Sequence, residues 1–174
     1  MELNFLDIVI QQEELDREIL LKYNLNYKET FQERKLALLV ELGELANEIR
    51  SFKYWSTKAP SAKDVILEEY ADGLHFISGF CVQYIIEPSF KINVSNIKQL
   101  DKNQITVSIN KLFKIVANLK YAKPGKTEKI EKIILKIYKK YIFLGLNLGY
   151  TINEIKDSYS KKHEINHIRQ ETNY

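Results

Sequence analysis

Glu41 and Glu44 stand three residues apart in ELGELANEIR, and Glu69 and Asp72 repeat that spacing in EEYADGLHF. On a helix, residues three apart project from positions about 60° apart around the axis, so each pair shares a face. The second pair sits in a strongly apolar stretch rather than in a charged surface run. Two such helices packed as an antiparallel hairpin would converge four carboxylates, whose mutual repulsion is severe without a cation between them. Mg²⁺ is the ion this chemistry favours, because it is hard, prefers carboxylates and waters, and bridges them to substrate phosphates. The clustering also suits two-metal activation of water. Any one of these acids alone reads as a solvated helix residue. The four together point to a site, because Gly43 and Ala46 permit close helix approach and Leu42 and Leu45 anchor the opposite side. Glu48, one turn further on the same face, and Glu68, beside the second pair, are either solvated or supporting groups.

Helical spacing of apolar residues supplies the elements that must hold these acids. From Asn4 to Leu21, Phe5, Ile8, Ile10, Leu15, Ile19 and Leu20 predict a first helix. Thr30 is placed to cap a second, whose stripe of Leu36, Leu38, Leu39, Val40, Leu42, Leu45 and Ile49 reaches about Phe52. After a loop over Trp55 to Pro60, Ser61 and Asp64 form a capping-box pattern for a third helix running through Ile66, Leu74, Phe76 and Ile77 and ending before Pro88. The polar segment from Ser89 to Gln104 reads as a loop. Helices resume over Ile105 to Leu119, break at Lys123-Pro124-Gly125, and run from Glu128 to Leu148, where Gly149 stops the chain. Thr151 and Glu154 are a second capping-box pattern, opening a last helix with Ile155, Tyr159, Ile165 and Ile168. No strand-period segment competes. The expectation is an all-α bundle of about six helices, one domain over residues 1–174.

Composition excludes several classes. With 174 residues, 45% hydrophobic, three Pro and six Gly, the chain is neither disordered nor collagen-like and is long enough to bury a core. Its apolar runs fall far below the roughly 18 residues needed to span a bilayer, and its acidic N-terminus lacks a secretory pattern. A lone Cys81 forms no intramolecular disulfide, in keeping with a reducing compartment, so the cytoplasm is expected, with no membrane partner. The 26 basic residues against 23 acidic ones, net +3, are too balanced to argue for nucleic-acid binding. Lys gathers from Lys111 to Lys140, which reads as a solvated surface. The absence of a Gly-rich phosphate loop and of a thiol site argues against P-loop and Cys-nucleophile chemistry.

Glu41-x-x-Glu44 followed by Glu69-x-x-Asp72 resembles the all-α nucleoside triphosphate pyrophosphatase superfamily, which includes the dimeric dUTPases and the MazG-like enzymes. The surrounding words ELGELANEIRSFKYWS and LEEYADGLHF, with a C-terminal Tyr159-x-x-Lys162-x-x-x-Asn166-x-x-Arg169-Gln170, are similar to the dimeric dUTPase branch and cover about half the chain. The resemblance implies a homodimer that hydrolyses dUTP to dUMP and pyrophosphate, with Mg²⁺ held by Glu41, Glu44, Glu69 and Asp72. Glu41 or Glu44 would position the attacking water or take its proton.

The same resemblance suggests roles around the acids. Lys53 and Lys58 flank Trp55 after the acidic helix, where lysines would neutralise phosphate oxygens and the indole would wall the base. His75 and Phe76 would lie by the uracil. Gln12 and Asp16, four apart on the first helix, would read the pyrimidine, with Gln11 competing with Gln12 for that part and Asp16 standing where some relatives carry Asn. Tyr159, Lys162, Asn166 and Arg169 share a face of the last helix and would contact the phosphate and sugar region. Two other readings remain: a related pyrophosphatase acting on dCTP or a broader set of nucleotides, and a non-enzymatic helical regulatory dimer.

Overall fold

The computed structural model describes residues 1–172. Among them run six α-helices: α1 (Leu6–Lys22), α2 (Phe31–Ile49), α3 (Lys63–Gln83), α4 (Lys102–Ala117), α5 (Glu128–Asn147) and α6 (Ile152–Glu171). The all-α expectation holds. One correction concerns the ends of the first hairpin: Glu2–Asn4 (β1) and Ser89–Lys91 (β2) pair antiparallel, with Leu3 opposite Phe90. Three-residue strands carry too little alternation to announce themselves in sequence. The segment read as loop from Ser89 to Gln104 therefore contains β2, a 3₁₀ turn at Val94–Asn96 and the first turn of α4.

Helix α3 is the centre of the bundle, packing against α1, α2, α5 and α6, while α4 closes the far side on α2 and α5. A helix in that position must be apolar nearly all round, and Tyr70, Ala71, Leu74, Ile77, Phe80 and Cys81 are all buried. One hydrophobic cluster runs from Leu3 to Tyr159. At its middle, Tyr70 and Tyr141 stack with ring centroids 4.4 Å apart. Each hydroxyl donates 2.8 Å to the other residue's backbone carbonyl. This reciprocal pair locks α3 to α5 beside Glu69 and Asp72. Two glycines make room for it: a Cβ on Gly73 would strike the Tyr141 hydroxyl, and one on Gly145 would lie 2.7 Å from that of Tyr70. Gly43, which the sequence suggested as a close-approach point for the acidic helices, faces α4 instead, where its nearest neighbour would be Phe113 at 3.9 Å.

The caps divide. Thr151 and Glu154 form the expected box at α6, and Asp101 with Gln104 forms one at α4. Thr30 precedes α2 but makes no side-chain cap; its Oγ1 accepts from Arg34 Nε at 3.2 Å. Ser61 is also diverted, since α3 starts after Ala62 and the Ser61 hydroxyl donates to Glu48. The Ser61 backbone N–H donates to the Glu48 carbonyl at 3.0 Å as well. These bonds pin the start of α3 to the end of α2, which sets the acidic helices side by side. Arg50, in the left-handed region at φ 60°, caps α2, which ends at Ile49, three residues short of Phe52.

Candidate active site

Oxygens of Glu41 on α2 and of Glu69 and Asp72 on α3 lie within 4.8 Å of one another. The sequence expectation is of four acids from two helices, and three of them, without Glu44, form this group. Its electrostatics follow from crowding. Glu41 is pushed up to about 7, first by burial and then by the charges of Asp72, Glu44 and Glu69. Burial likewise raises Glu69 and Asp72. Glu44 stands outside the tightest group, yet its charge acts on both Glu41 and Glu69. The donors are all hard oxygens and they repel, so the set fits a divalent cation such as Mg²⁺.

Lys162, on α6, brings a cation to the acids. Its Nζ bonds Asp72 at 2.7 Å and Glu68 at 3.0 Å, and only 8% of the residue is exposed. Glu68 is thus a supporting group, holding the lysine that opposes the acids. Glu48 plays a different part, as the acceptor for Ser61.

A pocket opens from the acids toward α1. Gln12, Asp16, Glu41, Asp72, His75, Phe76, Asn166 and Arg169 line it, eight residues expected from sequence. Gln11 is resolved away from it: its side chain accepts from Ser160 and its carbonyl from His163, both on α6. Gln12 Nε2 donates to Asp16 Oδ1 at 2.7 Å. A carboxylate only accepts, so the other end of the amide is oxygen, and it accepts from Tyr159 Oη and His75 Nδ1, each at 2.8 Å. His75 therefore carries its proton on Nδ1. Burial pushes its pKa down to about 3, which keeps the ring neutral, and Nε2 is an acceptor without a partner among the described residues. The Tyr159 ring stacks on His75 at 4.0 Å. Tyr159 thus lies beneath the pocket and sets Gln12 and His75, rather than standing at its mouth.

Lys53, Trp55 and Lys58 do not line this pocket. They sit on the exposed segment after α2, where Lys53 bonds Asn47 and Trp55 packs edge-on against Phe52 and Tyr54. Sequence reasoning missed Tyr27 and Arg34, which do line it. Tyr27 belongs to the loop between α1 and α2 and Arg34 to the first turns of α2; neither falls in a motif.

Comparison with protein families matches residues 4–174 to the family described as dUTPase. No curated protein matches the chain.

Proposed function

The chain belongs to the dUTPase family and hydrolyses dUTP to dUMP and pyrophosphate; we propose that it does so with Mg²⁺ held by Glu41, Glu44, Glu69 and Asp72. The observation that carries this reading is the crowding of Glu41, Glu69 and Asp72 within 4.8 Å, with Glu41 pushed up to about 7. When bound, the metal neutralises triphosphate oxygens and lowers the pKa of a water. Glu41 positions the attacking water or takes its proton, with Glu44 beside it in the alternative part. Lys162, released from Asp72, carries phosphate oxygens together with Arg169, and Asn166 holds the sugar region. Gln12, Asp16, His75 and Phe76 enclose the base, and Tyr159 sets Gln12 and His75 from below. No covalent enzyme intermediate is required. By removing dUTP, the reaction limits uracil incorporation into DNA.

The chain works as one domain in a homodimer. Leu36 and Val40, one turn apart on α2 and both exposed, support an apolar contact with a second copy. Light scattering should return twice the 20.5 kDa chain mass; the single-chain value would reject the dimer. Among the described residues no helix is long and apolar enough to cross a membrane, and the reading places the enzyme in the cytoplasm.

Pyrophosphate release from dUTP, dCTP, dTTP and UTP tests the chemistry. With Mg²⁺, dUTP should turn over at least tenfold faster than the others, a difference of about 1.4 kcal/mol in transition-state binding, and EDTA should stop it. Comparable turnover of dCTP would favour the broader pyrophosphatase, and EDTA-resistant release would remove the metal from the account.

A further inference from the structure

We infer that Tyr27 and Arg34 are positioning residues for the base: they hold Asp16 as a hydrogen-bond acceptor in the pocket, so that it takes the N–H of the pyrimidine. This rests on the reading of the pocket as the dUTP site. Uracil has one ring N–H in the nucleotide, at N3, flanked by two carbonyls. Asp16 accepts that proton, and the second hydrogen on Gln12 Nε2 donates to a neighbouring carbonyl.

The geometry leaves Asp16 free for this. Its Oδ1 already accepts from Gln12 at 2.7 Å and its Oδ2 from the Tyr27 hydroxyl at 3.0 Å. A carboxylate offers about four lone-pair sites, so further acceptor capacity remains. A Cβ on Gly79 would lie 3.2 Å from Oδ2, so the opposite wall is closed and the carboxylate has little room to turn. Tyr27 is itself held from α2. Arg34 Nη2 donates to the Tyr27 carbonyl at 3.0 Å, and its guanidinium lies 4.8 Å from the Tyr27 ring centroid and 5.0 Å from that of Phe80. The same nitrogen bonds Gln83 at the end of α3. Arg34 therefore ties the α1–α2 loop to two helices and delivers one hydroxyl to one carboxylate.

Electrostatics support that arrangement. The groups that act on Asp16 are Gln12 on α1, Tyr27 on the loop and Arg34 on α2, with Tyr159 on α6 feeling its charge; Glu13 acts on Tyr27, and His75 reaches Asp16 only through Gln12. Burial raises the Asp16 carboxyl, while the bonds from Gln12 and Tyr27 and the charge of Arg34 oppose the rise. Tyr27 titrates above its ordinary range, through burial and the neighbouring carboxylate, so it stays a donor. With the hydroxyl gone, burial is less opposed, Asp16 keeps its proton to higher pH, and the protonated form has lost acceptor strength.

The test compares KM for dUTP in Tyr27→Phe and the parent enzyme as a ratio at each pH from 5.5 to 8, which cancels titration of the nucleotide and of the acid cluster. The ratio should be about tenfold at the acid end and fall to about threefold at pH 8, as expected for loss of one hydrogen bond to a charged group plus a raised carboxyl; kcat should change less than KM. Arg34→Gln should give the same slope through loss of its charge, which keeps the test open if Tyr27→Phe folds poorly. On an Asp16→Asn background, the ratio of Tyr27→Phe/Asp16→Asn to Asp16→Asn should show no slope, because an amide does not titrate. A ratio constant with pH, or a slope that survives Asp16→Asn, would overturn the inference. Asp16→Ala separates the two layers: unchanged KM for dUTP would remove the base pocket itself, whereas raised KM with a flat Tyr27→Phe ratio would remove only the positioning role.

Discussion

Glu41→Gln lowers kcat for dUTP by about a thousandfold at saturating Mg²⁺ and nucleotide, the size expected when a charge aimed at the reacting centre is lost. Glu41 stands on the far helix from Glu69 and Asp72, and it alone closes the group of three oxygens within 4.8 Å. The amide keeps the shape and removes both the charge and the proton-accepting site, so metal binding and water positioning fail together. The fold should survive: Glu41 is pushed up to about 7, so its charge is a burden to the metal-free protein, and the variant relieves repulsion from Asp72, Glu44 and Glu69. The expected signature is an inactive enzyme that melts at or above the parent's temperature without metal. Turnover within tenfold of the parent would contradict it.

Lys162→Met is the second large effect, with kcat/KM at pH 7 falling about a hundredfold, as for loss of a cationic phosphate clamp. The reason lies in what the lysine does before substrate arrives. Its charge lowers Glu41, Glu69 and Asp72 alike, so it stands in for part of the metal's charge. Without it all three acids hold protons to higher pH, and Mg²⁺ must displace more of them. The acid limb of the pH profile of kcat/KM should therefore move to higher pH, in addition to the loss of a phosphate contact. Met keeps most of the buried stem, which limits the packing cost. A uniform fall across pH would mean that Lys162 touches phosphate without tuning the acids.

The acid cluster was legible because its four members keep helical spacing inside apolar helices, where an unpaired carboxylate is costly. His75, Asn166 and Arg169 were legible through the wording around them, Gln12 and Asp16 only through their four-residue spacing and the family resemblance, with Gln11 in competition; all five line one pocket. What escaped is non-local. Tyr27 reaches Asp16 from a loop eleven residues on, and Arg34 holds that tyrosine by a backbone carbonyl and a ring face, which leaves no helical spacing to read. Lys162 read as a phosphate ligand, while its resting partners, Asp72 and Glu68, lie more than 85 residues away along the chain. The caps show the same limit: Thr30 and Ser61 had the right chemistry, but Arg34 and Glu48 claimed their hydroxyls, whereas Thr151 met no competitor and capped α6 as expected.

Titration calorimetry of Mg²⁺ into the nucleotide-free protein, in two buffers of different ionisation heat, tests the acid cluster most directly. With Glu41 near 7, the parent should release about half a proton per site at pH 7 and almost none at pH 8.5, because a carboxyl must ionise before it ligates. Glu41→Gln should bind weakly and release none. Mg²⁺ binding with no buffer dependence at pH 7, or equal binding by Glu41→Gln, would place the metal elsewhere and contradict the account.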